Sequence, residues 1–196
     1  MSPKSGDPQE STRERILRAA VEIFAEKGYH GAGMTELGDA ANIRRGALYY
    51  HIGSKEELLF DLCKRHVDVA LQRGREAVAR SDDPGEQFVL LVREHLHTLA
   101  DRRPDVVVAE REMHALTGER AAQLAKIRRE YQDLFTSVLE LGVAQGRFSR
   151  AEPLDVMGVL GLLNYTYMWL DPQGPVPIDE VADRLSSLLM DGLDVR

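Results

Sequence analysis

At 196 residues and 43% hydrophobic side chains, the chain suits one large globular domain or two small ones sharing a core. Its formal net charge of −7, from 25 basic and 32 acidic residues, argues against a protein that coats nucleic acid non-specifically, a role that needs an excess of Lys and Arg. The lone Cys63 excludes an intrachain disulfide and a cysteine-based zinc cluster, and reads as a small core or interface residue.

The opening MSPKSGDPQES is polar and lacks the apolar run of a signal peptide; residues 1–10 read as a flexible tail. Ser11 and Glu14 form an S-x-x-E capping box for a first helix, with Ile16, Leu17, Ala20, Val21 and Phe24 as its apolar stripe. Gly28 is its expected end. Gly33 and Glu36 start a second helix that ends near Ala41, and Asn42 fills a turn position suited to positive φ. A third short helix spans about 44 to 51. Ser54 with Glu57 then caps a long fourth helix that runs to about Arg80.

Asp83-Pro84-Gly85-Glu86 opens a fifth helix, and Arg103-Pro104 breaks it near residue 101. A short sixth helix is expected from Val106 to Ala115, and a seventh from about 119 to 145. Pro153 starts an eighth, apolar almost all round through Leu170, and the turn DPQGPVP precedes a last amphipathic helix from Ile178 to about Leu193. The longest apolar stretch, Val156 to Leu170, is interrupted by Asn164 and Thr166 and is too short to span a bilayer. The expectation is an all-α protein of about nine helices, soluble and cytoplasmic, with no membrane partner. A three-helix head joins a larger helical body without a flexible linker.

Residues 33 to 57, GMTELGDAANIRRGALYYHIGSKEE, carry the sharpest functional signal. Two short helices joined by a tight turn form a helix-turn-helix, whose second helix lies in the major groove of DNA. At about 100° per residue, Leu48 points inward while Gly46 and Tyr50 face the groove, with Ala47 and Tyr49 beside them. Arg44 and Arg45 can reach guanine or phosphate. Tyr49, His51 and Lys55 offer donors for phosphate oxygens, and Lys55 lies at a positive helix end. The first sixty residues hold eight basic and nine acidic groups, so positive charge must be concentrated on this face.

The stretch ILRAAVEIFAEKGYHGAGMTELGDAANIRRGALYYHIGSKEELL, 16 to 59, resembles the DNA-binding region of the TetR family of bacterial transcriptional regulators. Three positions depart from the family pattern: Gly38 stands for the usual Ala, Asn42 for the usual turn Gly, and Arg44 for the usual capping Ser. The resemblance implies a homodimer that binds a palindromic double-stranded DNA operator and represses transcription. It carries phosphate contacts to Tyr49, His51 and Lys55, the helix-two contact position to Thr35, and base-reading positions to Arg45, Ala47 and Tyr50. It also implies a DNA-binding domain over 11–53 and a ligand-binding and dimerisation domain over 54–196.

In the body, the apolar eighth helix with Gly158 and Gly161 suits a dimer interface on one side and a core on the other; with the last helix it would form a four-helix bundle across a two-fold axis. Candidate residues for a small apolar or amphipathic effector are Phe88, Leu91, His95, Met113, Tyr131, Phe135, Asn164 and Trp169. The segment EYQDLFTSVLELGVAQGRF and the later NYTYMWLDPQGPVPIDEVADRL resemble the C-terminal part of TetR-type regulators of fatty-acid and steroid catabolism. Several of those respond to acyl-CoA thioesters, which implies Arg111, Arg128 and Arg129 as receivers of CoA phosphates. Effector binding would shift the fourth helix and change the spacing of two recognition helices.

Other classes leave little trace. No Ser-His-Asp context, Gly-rich phosphate loop or metal-binding helix appears, so neither catalytic residues nor a cofactor is expected. His95 and His97 fall on different helix faces, against a metal site there. The alternatives left open are a DNA-binding regulator without a small-molecule effector, and an activator rather than a repressor.

Overall fold

Capping and apolar spacing produce nine α-helices among the described residues, 11–194, of the computed structural model; of Arg45 only the backbone is described. The tail expected over 1–10 lies outside the described residues. The chain divides into two compact units.

The first unit takes residues up to Arg65 together with Pro104–Leu124. Helix α1, Thr12–Gly31, starts on the expected box: Ser11 Oγ accepts from the Glu14 amide at 3.2 Å, and the Ser11 amide donates to Glu14 at 2.9 Å. Gly28, at φ 72°, breaks the helix where its end was expected, and a further turn reaches Gly31. Helices α2, Met34–Ala40, and α3, Arg45–Ile52, are joined through Asn42 at φ 54°, the positive value expected of that turn. Ile16, Phe24, Leu37, Leu48, Ile52, Leu58 and Leu59 form a core with at most 1% exposure each. Truncating one of them to Ala would cost about 2–5 kcal/mol. Gly38 is fully inside this packing: a Cβ there would sit 2.9 Å from the Ile43 carbonyl oxygen, while the Ile43 amide bonds to the Gly38 carbonyl at 2.8 Å.

Helix α4, Lys55–Val78, belongs to the first unit up to Arg65 and to the second from His66. Helix α6, Arg103–Glu112, starts three residues earlier than expected and ends in a 3-10 turn, Met113–Ala115. Pro104 falls in its first turn, where the missing N–H breaks no helical bond, so proline starts this helix instead of only ending the one before. Helix α7, Gly118–Ala144, begins in the first unit and continues into the second.

The second unit also holds α5, Pro84–Asp101, α8, Pro153–Tyr165, and α9, Ile178–Leu193. Asp83 caps α5 by accepting from the Glu86 amide at 2.8 Å. Helix α5 lies along α9, joined at the edge by Arg93–Asp183 at 2.7 Å and His97–Asp179 at 2.8 Å. The α7–α8 connection closes onto the end of α9: Ser149 N donates to the Leu193 carbonyl at 2.7 Å and Arg147 pairs with Asp194 at 2.6 Å. Gly142 leaves room there for the buried Phe148 ring, which a Cβ would overlap.

The eighth helix is shorter than the apolar run suggested. It ends at Tyr165 and passes into a 3-10 turn, Thr166–Met168, because the Thr166 hydroxyl bonds back to the Leu163 carbonyl at 2.7 Å and draws the last turn tight. Val156, Val159 and Leu163 form its buried stripe; Leu154, Met157 and Tyr165 are 75%, 62% and 63% exposed. Among the described residues, no helix is long and apolar enough to cross a membrane.

Candidate nucleic-acid interface

Helix α3 is anchored by one residue and exposed by the rest. Leu48 is 0% exposed beneath it and Ile52 seals its end, whereas Tyr50 is 87% exposed and Tyr49 40%. Arg44, Gly46 and Ala47 are exposed along the same helix, and Thr35 is exposed in the first turn of α2. Arg45 is the first residue of α3, and its side chain lies outside the described residues. Arg44 occupies the N-cap without a side-chain cap bond, so its guanidinium does not serve the helix end as a Ser would. His51 is half-buried, its ring edge-on to Tyr50 at 5.4 Å, and its carbonyl accepts from Arg13 at 3.0 Å.

Lys55 does more than sequence reasoning assigned it. Its ammonium donates to the Tyr29 and Ala32 carbonyls at 2.9 and 3.0 Å and lies 4.5 Å over the centre of the Tyr29 ring. Two of three donors are thus used inside the unit, and one remains for a phosphate. Lys55 is the first residue of α4, directly after the turn that leaves α3 at Gly53, so it ties the recognition helix to the end of α1.

The balanced charge of the head is resolved by where its acids lie. Helix α3 carries none. Glu36 pairs with Lys27, and Asp61 with Arg13. Glu56 accepts both the amide and hydroxyl of Thr117 at 2.9 Å, and Arg120 lies 3.6 Å from Glu56 and 3.3 Å from Glu57. The Thr117 amide holds the Glu56 carboxyl below its usual range, its hydroxyl and the Arg120 charge adding to this. Burial raises Asp61 against the opposing pull of Arg13. Sequence reasoning missed Tyr29, Arg13, Thr117 and Arg120 because these contacts join positions 26 to 63 residues apart.

Of the candidate effector residues, five meet in the second unit. Phe88, Leu91 and Phe135 are 0% exposed, and His95 and Tyr131 are 6% and 8%. His95 Nδ1 lies 2.9 Å from the Tyr131 hydroxyl with the rings stacked, and Tyr131 meets Phe135 edge-on, which meets Phe88 in turn. Burial, with His66 adding to it and the Leu163 carbonyl opposing, holds the His95 pKa down to about 3. Burial pushes the Tyr131 phenol up, with Glu94 adding to it. Asn164 is half-buried on α8. Trp169 lies past α8, 52% exposed, in an open apolar recess with Leu170, Val176 and Leu185. Met113 belongs to the first unit, as does the exposed Arg111; Arg128 and Arg129 belong to the second. Among the described residues, no group of three or more His, Cys, Asp or Glu could hold a metal.

The family of tetracyclin repressor-like C-terminal domains matches residues 81–193, and that of bacterial regulatory proteins of the tetR type matches 16–62. The chain belongs to the TetR family. Its relatives there are transcriptional regulators. The HTH-type transcriptional repressor KstR2 of Rhodococcus jostii is 29% identical over 98% of both chains. A fatty acid metabolism regulator protein of Bacillus subtilis is 26% identical over 72% of each. The crystal structure of the TetR-family regulator PfmR from Thermus thermophilus is 29% identical, with a TM-score of 0.84 over 92% of this chain and all of that one. The TetR likeness read over 16–59 and the likeness of the C-terminal half to lipid-catabolism regulators thus both hold.

Proposed function

We propose that this TetR-family chain is a ligand-responsive repressor that binds a palindromic operator as a homodimer. The observation that carries it is the acid-free, outward face of α3, where Tyr50 is 87% exposed over a fully buried Leu48. A large aromatic displayed on a rigid helix, with Arg44 free of capping duty, suits base-edge contact in a major groove. Arg45, Gly46, Ala47 and Tyr50 read bases, Thr35, Tyr49, His51 and Lys55 hold phosphates, and Arg44 serves either. Residues 11–53 are the DNA-binding domain and 54–196 the ligand-binding and dimerisation domain.

Dimerisation through the last two helices is supported by the exposed apolar residues Leu154, Met157 and Tyr165 on α8 and Leu188, 61% exposed, on α9. Gly158 and Gly161, also exposed, would permit close approach of the partner's helix. The effector is a small apolar or amphipathic molecule, an acyl-CoA thioester among the candidates, received around Phe88, Leu91, His95, Tyr131 and Phe135. The likeness to a fatty acid metabolism regulator supports a lipid-derived effector. Helix α4 contributes to both units, so a ligand-dependent shift of α4 would alter recognition-helix spacing.

Selection of bound DNA from a random pool tests this reading directly. It is expected to return one short palindrome whose half-sites lie about one helical turn apart or a multiple of it. Enrichment of no sequence, or of a single unrepeated half-site, would count against it.

A further inference from the structure

Resting on the reading that the second unit admits an effector to its core, we propose that this effector presents an uncharged carbonyl oxygen, of a ketone, ester or thioester, to the Nε2–H of His95. An ionised carboxylate is excluded from the same place.

His95 is 6% exposed, and its Nε2 is fully buried with no hydrogen-bond partner. Such an atom requires an explanation, because burying an unmet donor costs more than a made bond returns. Its neighbours set the tautomer. The buried Tyr131 phenol, kept protonated by that burial, needs an acceptor for its own proton and has His95 Nδ1 at 2.9 Å. Nδ1 then accepts, and Nε2 carries the hydrogen. The Leu163 carbonyl on α8 stands close enough to favour a proton on this imidazole. It is already engaged, accepting the Thr166 hydroxyl at 2.7 Å and the Thr166 backbone N–H. Two donors already engage it, and His95 Nε2 is left without a full hydrogen bond of its own.

Charge decides what the acceptor can be. The imidazole resists protonation, because burial and the nearby His66 both disfavour its cation. Glu94, whose charge also reaches Tyr131, is itself paired with Arg80 at 3.1 Å and offers the site no counter-charge. A carboxylate placed here would lose its hydration and gain from this pair only one neutral donor. A carbonyl oxygen needs one donor only, and the apolar remainder of such a ligand suits Phe88, Leu91 and Phe135. This is an acceptor of modest desolvation cost matched to a single fixed donor.

The test uses the full chain near neutral pH and chain-length series of methyl ketones, alkanes and carboxylates, with alicyclic members in each. Methyl hexyl ketone, octane and octanoate serve as the matched centre. Affinity is read from the ligand-dependent rise in melting temperature. The best ketone is expected to bind about tenfold more tightly than its matched alkane, the worth of one buried hydrogen bond. Its matched carboxylate should bind more weakly still. In His95→Phe the ketone's advantage over the alkane should vanish while alkane binding persists. NMR of isotope-labelled histidine reads the contact without a variant: the Nε2–H tautomer in the free protein and a ketone-dependent shift of that nitrogen are expected. Equal binding of ketone and alkane, tighter binding of carboxylate, or an Nδ1–H tautomer overturns the carbonyl assignment and leaves the effector site standing. No binding by any member of any series overturns the effector reading itself.

Discussion

The Lys55 ammonium lies 4.5 Å over the Tyr29 ring and donates to the Tyr29 carbonyl at 2.9 Å, so one side chain closes the end of α1 and opens α4. A cation at a helix C-terminus also meets the negative end of the dipole. Lys55→Met keeps the apolar stem and removes the tie. The carbonyls of Tyr29 and Ala32 then lose a charged donor, which should cost about 1–3 kcal/mol in denaturant unfolding, along with a fall in operator affinity. Unchanged unfolding with weakened operator binding would restrict Lys55 to a phosphate contact.

Tyr50 and Tyr49 should separate base reading from phosphate binding. Tyr50 is 87% exposed, so Tyr50→Ala should leave folding stability within about 0.5 kcal/mol. It should reduce affinity for the selected operator by about 1–3 kcal/mol and relax preference at one base pair. Tyr49→Phe should weaken cognate and unrelated DNA by similar factors. Titrations on operator variants check both, and an unaltered base preference in Tyr50→Ala would remove it from the reading face.

Gly38 and Asn42 are departures from the family pattern that meet in one turn. A methyl group at Gly38 would press on the Ile43 carbonyl at 2.9 Å, and Asn42 holds φ 54° just beyond. Gly38→Ala gains helix propensity of about 1 kcal/mol. Overpacking against the backbone should outweigh this, giving a net loss of about 1–2 kcal/mol in thermal unfolding. Asn42→Gly frees the turn to shift, so the double variant should lose less than the sum of the two. Strict additivity would show that the two positions are independent.

The turn around Asn42 was legible because its chemistry is local, as were the box at Ser11, the cap at Asp83 and the inward Leu48. The eighth helix was overrun because its apolar composition continues to Leu170, whereas its end depends on one hydroxyl bond from Thr166 to Leu163. Composition carries no record of such a bond. The ties of Lys55 to Tyr29 and of Glu56 to Thr117 were illegible for a related reason: periodicity reports which face a residue takes, not which distant backbone it meets. His95 and Tyr131 were both named as candidates, yet only packing brings an imidazole and a phenol 36 residues apart to 2.9 Å.

The depressed His95 pKa makes stability depend on pH with a definite sign. Folded His95 stays neutral down to about 3, whereas the unfolded residue takes up a proton near 6.5. Below that value the unfolded chain binds more protons, so stability is full above it and falls as pH drops, by up to about 1.4 kcal/mol per pH unit. Carboxylates held low in the fold, such as Glu56 and Asp179, begin to act only near their unfolded values of 4.5 and 3.8. Between about pH 6.5 and 5, the difference in denaturant-titration slope between the wild type and His95→Phe should therefore report this histidine, with His66 and Asp61 common to both. His95→Phe should flatten that limb, and an identical slope in the variant would assign it to another group.

Leu188 tests the dimer through a residue whose loss the monomer should not feel. It is 61% exposed on α9, so Leu188→Glu should change monomer unfolding by about 0.5 kcal/mol or less. In a two-fold dimer packed through α9, the new carboxylate of each subunit would be carried into an apolar contact. Two-fold symmetry would thus impose the desolvation cost twice. Sedimentation should show a folded monomer, with operator affinity reduced at least tenfold because each half-site is then bound singly. The more conservative Leu188→Ala should weaken association without abolishing it. A dimer of unchanged affinity in Leu188→Glu would move the interface away from α9, and undiminished operator binding by a monomer would remove the two-fold requirement altogether.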